Sequence, residues 1–279
     1  MGKAYQVFVR VSVLSFILIT ISSTVNAQLI FTAPPRETPA EGEKLYAPLV
    51  NHLRTILKTD VKYEHPHNWL NYQKHMRAGK YDIVFDGAHF VSWRVEHLKH
   101  KPLVKLPTPY QIVLYTRKDQ KDINSPADLI GKRICGLGPP NLVTMLSLSQ
   151  FPYPARQPIL IPVRGGQKGL FKAFQEGRCV AGTNRTHYFN KKIPADVRKE
   201  LKVLYTSDVI SNQAISAGPK VTTSQGVRIK KSLSSDPEGI KATRPILDRF
   251  AKQASAMVGT NTSDYQGYNK LLEGVVFGW

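Results

Sequence analysis

The stretch Gly79–Arg94, GKYDIVFDGAHFVSWR, restricts the possible folds more than any other part of the sequence. Tyr81–Phe85 reads as a buried strand, the corner Asp86-Gly87-Ala88-His89 follows, and a helix opens behind it. A strand handed over to a helix through small residues leaves free backbone N–H groups beside the strand's carboxyl end, at the positive end of the helix dipole. In open α/β sheets ligands bind along that edge. The corner therefore predicts a binding cleft, with Asp86, Gly87, Ala88 and His89 on its wall.

The same alternation runs through the chain. Leu29–Thr32 reads as a strand, and Glu41–Leu57 carries Leu45, Leu49, Val50, Leu53, Ile56 and Leu57 at helical spacing. Val61–Tyr63 is a strand, Trp69–Met76 a helix and Phe90–Leu98 another. A second series begins with a strand at 111–116 and continues with strand 133–137, helix 141–149, strand 159–163, helix 167–176 and strand 178–183. Leu201–Tyr205 and Gln213–Ala217 read as strands, and 222–270 is largely helical by pattern. Repeated βα units imply mostly parallel sheets with helices on both faces. Two series, linked by a strand leading out and one coming back, predict two lobes around a cleft. One lobe is expected to hold 28–112 and 208–279, the other 113–207. A single doubly wound lobe is the alternative.

Lys3 and Arg10, the apolar run Val11–Ile21 and the small-x-small site Val25-Asn26-Ala27 have the layout of a cleaved secretory leader over residues 1–27. A retained anchor is the alternative, but the apolar run is shorter than the roughly 20 residues a span needs. Removing the leader from the 279-residue chain leaves 252 residues and lowers the net charge from +19 to +17. Such an excess attracts anions of any kind. Lys and Arg are spread evenly, with no basic arm, and with export this argues against nucleic acid.

Cys135 and Cys179 are the only cysteines, each in a short strand candidate followed by a helix. Neighbouring parallel strands would bring them together, and export favours one structural disulfide over two free thiols.

Taken in order, APPRETPAEGEKLYAPLVNHL, YDIVFDGAHFVSWR, PYQIVLYTRKD, SPADLIGKRICGLGPPN and GRCVAGTNRT resemble the periplasmic binding proteins of phosphonate and phosphate-type ABC transporters, roughly over 28–235. The resemblance implies a two-lobed type II fold and a solute held between the lobes. It also implies cleft roles for Trp69 and Tyr110, and for Asn141 and Thr144 at the start of the second lobe's helix. Family members grip the phosphonate there with a Ser-Thr-Ser run. Here the run is Leu142-Val143-Thr144, which removes two hydroxyl donors and predicts weak binding of simple alkyl phosphonates. His187 and Gln213 stand where aminoalkyl-phosphonate binders place acids, with Arg164, Gln167 and Arg185 nearby. That lining suits an anionic or neutral solute with a polar head and an apolar part.

A metal site would want more than the i, i+2 pair His65 and His67. Catalysis would want a nucleophile, a base and an orienting acid; no G-x-S-x-G elbow occurs, and Asp86, His89 and Ser92 read as one helix corner. No cofactor and no metal is expected. The reading is a monomeric, exported, non-enzymatic solute-binding protein with a small-molecule ligand and an inner-membrane ABC permease as partner. A sensory module signalling to a membrane receptor is the alternative.

Overall fold

The structure, a computed structural model, describes residues 28–273; the expected leader lies outside the described residues. β1 (Leu29–Thr32), β2 (Val61–Tyr63) and β3 (Ile83–Asp86) are parallel in the order β2-β1-β3, with Phe31 opposite both Tyr63 and Ile83. α1 (Pro39–Leu57) starts on a capping box: Thr38 Oγ1 accepts from the Glu41 amide, and the Glu41 carboxylate accepts from the Thr38 amide. Its apolar stripe, Tyr46, Leu49, Val50, Leu53 and Leu57, is buried in one core with Phe31 and Phe85. α2 (Trp69–Arg77) is capped by Asn68. β3 passes through Gly87 directly into α3 (Ala88–Leu98), as the corner predicts. β4 (Lys101–Lys105) has no counterpart in the sequence reading, because Pro102 and the flanking lysines mask it.

β5 (Ile112–Arg117) opens a second sheet, with β6 (Arg133–Leu137), β7 (Ile159–Val163), β8 (Ala181–Arg185) and β9 (Leu201–Thr206), in the order β7-β6-β8-β5-β9. α4 (Leu142–Leu148) and α5 (Gly166–Gln175) follow β6 and β7, and the short α6 (Thr186–Lys192) and α7 (Ala195–Lys199) follow β8. The chain then returns to the first sheet as β10 (Ala214–Ala217), between β3 and β4. α8 (Thr223–Ser235), α9 (Pro237–Phe250), β11 (Val258–Gly259) and α10 (Lys270–Glu273) complete the described chain.

The expected two-sheet α/β architecture is present, but the sheets are mixed rather than mostly parallel. Every chain passage between sheets inserts a strand against the others: β5 is antiparallel to β8 and β9, and β10 is antiparallel to β3 and β4. Side-chain periodicity reports burial, not strand direction.

The two passages between the sheets run side by side. Tyr110 and Ile210 exchange both backbone hydrogen bonds, at 3.0 and 2.9 Å, and the Leu106 amide donates to the Gln213 carbonyl at 2.9 Å. Cys135 and Cys179 form the expected disulfide, with Cα atoms 5.6 Å apart. Cys135 lies in β6; Cys179 lies just before β8, which pairs parallel to β6.

Candidate functional site

The carboxyl ends of β1 and β3 and the start of β10 share one edge of the first sheet. The loop holding Arg36, the Gly87–His89 corner and Gln213 emerge there. In the second sheet the carboxyl ends of β6, β7 and β8 and the start of β5 form the corresponding edge. They carry the Gly138–Asn141 turn, Arg164, Arg185 and Gln111. The two edges meet where His89 Nε2 lies 2.7 Å from the Pro140 carbonyl oxygen.

Several residues expected on the cleft wall serve the fold. Asp86 is fully buried, with Oδ2 accepting from Arg94 Nε at 2.7 Å and Oδ1 from the Tyr72 hydroxyl. Gly87 is the N-cap of α3, and Ala88 is buried. Asn141 caps α4 by accepting from the Val143 amide at 3.1 Å, while Thr144 donates its hydroxyl to the Leu137 carbonyl. Leu142 and Val143 lie in one apolar cluster that also holds Ala88 and Val91 of α3, Tyr110 and Ala214. Apolar residues of both lobes thus fill the region around the helix start. Trp69 is half-buried, stacked on Phe90 with centroids 6.1 Å apart and edge-on to Tyr72.

Beside the chain passages a cavity of about 550 Å³ opens between Gln111, Gln167, Arg185, Thr186, His187 and Lys192 on the side of the second sheet and Thr108, Phe250, Lys252 and Gln253 on the side of the first. Among the described residues no carboxylate lines it. The Arg185 guanidinium lies 4.5 Å over the Tyr110 ring. Gln167 Oε1 accepts from the Arg185 amide at 2.7 Å and from Asn184 Nδ2 at 3.1 Å, fixing the end of β8 against the start of α5. The cavity therefore gathers Arg185, Gln167 and His187, whereas Arg164 is exposed and outside its lining. His65 spends both ring nitrogens locally, on the Glu37 carbonyl at 2.9 Å and the His67 amide at 3.0 Å.

Arg36 was invisible to pattern reading, because it sits in a proline-flanked break beside Glu37. Its guanidinium lies 4.9 Å from the Phe250 ring centroid and 5.7 Å from that of Phe85, and Nη1 donates to Gln213 Oε1. Arg185 and Arg36 both act on Tyr110, whose hydroxyl burial pushes up to about 12 while both cations oppose the rise. The available signal was position alone: a cation at the carboxyl end of β1.

Burial holds the His89 imidazole down at about 4, the Pro140 carbonyl partly opposes this, and the Arg36 charge adds to the depression. A histidine neutral in the fold but basic when unfolded contributes stability above its unfolded value of 6.5, which is lost as pH falls towards 4. We expect about 3 kcal/mol of stability to disappear over that window, at about 1.4 kcal/mol per pH unit of displacement. Denaturant titrations at pH 7 and pH 4.5 check this: His89→Gln should remove the His89 share of the difference and leave that of His100, which burial also holds down, at about 3; an unchanged slope refutes the assignment.

The two-sheet architecture, with two strand edges facing each other, is that of the type II periplasmic-binding-protein fold. The sequence matches the family of phosphonate ABC transporter periplasmic substrate-binding proteins over residues 31–265, and the chain belongs to that family. XAC2383 from Xanthomonas citri, solved with chloride and with ATP, superimposes with a TM-score of 0.67 at 14% and 12% identity, covering 89% of this chain and 97% of that one. PhnD1 from Prochlorococcus marinus, in complex with methylphosphonate, gives a TM-score of 0.61 at 14% identity, covering 89% and 98%. A phosphonate transporter binding component from Pseudomonas aeruginosa gives 0.56 at 13% identity, covering 88% and 85%. No curated protein sequence matches the chain.

Proposed function

We propose that this protein is exported through the leader ending at Ala27, captures a small anionic solute between its lobes, and presents the closed form to an inner-membrane ABC permease. The lobes 28–112 with 208–279, and 113–207, close about the paired passages at Tyr110 and Ile210. The observation that carries the anionic reading is the cavity lining: Arg185, Lys192, Lys252 and His187 with no acid among them. An ammonium-bearing solute would find no counter-charge there, whereas an anion meets several cations and an aromatic floor.

A thermal-shift panel of phosphate, sulfate, methylphosphonate, phenylphosphonate and benzoate, with 2-aminoethylphosphonate and neutral sugars as contrasts, tests this. A ligand selective for the native state raises the melting temperature. The oxyanions should raise it more than the contrasts, and no shift with any oxyanion sinks the reading. Arg185→Ala should weaken the best binder by about 1.5–3 kcal/mol, the range for a hydrogen bond to a charged group. Unchanged affinity would make Arg185 a surface charge only.

A further inference from the structure

Among the described residues, the buried side-chain polar atoms without a hydrogen-bond partner are Arg36 Nε and Nη2, Tyr46 OH, His89 Nδ1, Arg94 Nη1 and Thr186 Oγ1. Arg36 and His89 share one edge of the first sheet: the Arg36 guanidinium reaches from the loop after β1 past the Phe85 ring of β3 to the Gln213 side chain at the start of β10, and His89 stands in the first turn of the helix that follows β3. Buried polar groups are nearly always satisfied, and at a cluster of exceptions a ligand, an ion or water supplies the partners.

The pattern of free atoms is specific. Arg36 is already anchored through Nη1 to Gln213 and by the Phe85 and Phe250 rings, so its orientation is fixed. The unused pair, Nε and Nη2, is the side-on edge of the guanidinium, whose two parallel N–H bonds match two oxygens of one oxyanion. His89 Nε2 faces a carbonyl, which only accepts, so Nε2 carries the ring proton and Nδ1 presents a lone pair. A ligand must bring a hydrogen there. Two oxygens for the arginine and a hydroxyl for the histidine describe a tetrahedral head group carrying one proton. A carboxylate fills the fork but leaves Nδ1 unbonded.

We propose that Arg36 and His89 hold the head group of the solute from the first lobe: Arg36 Nε and Nη2 bind two oxygens of a phosphonate or phosphate-ester head, and its third, protonated oxygen donates to His89 Nδ1. The proposal rests on the anionic reading above and deepens it. Head-group recognition then needs no hydroxyls at the start of α4, where Leu142 and Val143 are packed in the interlobe apolar cluster. Phe250, against which the Arg36 guanidinium rests, also lines the cavity, so the rest of the solute extends from that head group into the cavity, where Arg185 and Lys252 add to the attraction for its negative charge.

The test is calorimetry on the mature protein with phosphate, methylphosphonate, phenylphosphonate and benzoate. Arg36→Met should weaken whichever oxyanion binds the wild type by about 30–100-fold, and Arg36→Lys should restore only part, because an ammonium cannot offer a two-pronged edge. His89→Leu should lower the ratio of phenylphosphonate to benzoate affinity about tenfold, a ratio in which any effect on lobe closure cancels. As a readout that a purely structural role leaves unmoved, the Arg36 Nε–H proton resonance of the wild type should shift downfield on addition of the binding oxyanion. An oxyanion that binds wild type and Arg36→Met alike, or an Nε–H resonance that stays put, overturns the inference and leaves the anionic reading standing. If no oxyanion binds the wild type at all, the anionic reading itself falls.

Discussion

Replacing Asp86 with Ala is expected to destabilise the protein by about 3–5 kcal/mol, because it strands a buried arginine without its counter-charge. Asp86, Tyr72 and Arg94 are all fully buried. Arg94 donates through Nε to Asp86 at 2.7 Å and through Nη2 to the Tyr72 hydroxyl at 3.1 Å, which itself donates to Asp86. This triangle ties the end of β3 to the second turn of α3 and to α2, so it holds the corner that presents His89. Asp86→Ala and Arg94→Ala should have similar effects in urea unfolding. The double replacement Asp86→Leu with Arg94→Leu should recover much of the loss, since it leaves no unpaired charge. A cost below about 1 kcal/mol for the single change would show that water reaches the remaining partner, contrary to the burial argument.

The second large effect concerns the disulfide. Cys135 and Cys179 are separated by 44 residues in sequence and both are buried. Closing a loop of that length removes chain entropy from the unfolded state equivalent to roughly 4 kcal/mol, within the usual span of about 2–5 for native bridges. Cys135→Ala with Cys179→Ala should therefore lower the unfolding free energy by about that amount, most of it through the unfolded ensemble. Comparing oxidised, reduced and doubly substituted protein in denaturant checks this. A difference under about 1 kcal/mol would mean that the β6–β8 pairing alone confines the two segments even when unfolded.

The order of elements was legible because local signals agree with the global fold. The strand limits at 29–32, 61–63, 133–137 and 159–163 coincide with the observed ones, and the α1 stripe packs as its spacing implies. What pattern could not supply was partnership. Asp86 looked like a cleft residue because its corner has the right local shape, yet Arg94, eight positions on, and Tyr72, fourteen back, claim both of its oxygens. Leu142 and Val143 could be read as an altered anion turn, but only three-dimensional placement shows them clustered with Ala88 and Val91. Arg36 has no periodic context at all; it matters because β1, β3 and β10 converge beside it. Arg185, Gln167 and His187 were named through resemblance and line one cavity, while Arg164, close to Gln167 in sequence, lies outside its lining.

The apolar cluster that runs from Ala88 and Val91 through Tyr110 to Leu142 and Val143 belongs to neither lobe alone. In the proposed opening of the lobes that surface is hydrated, so the motion carries a positive heat-capacity change of its own, before any solute is considered. Near room temperature the resistance to opening is then mainly entropic, residing in water rather than in directional bonds, and it weakens on cooling. The balance between the proposed open and closed forms is then a property of temperature and co-solvent as much as of ligand concentration. Structure-making salts shift it towards closure, and urea shifts it the other way.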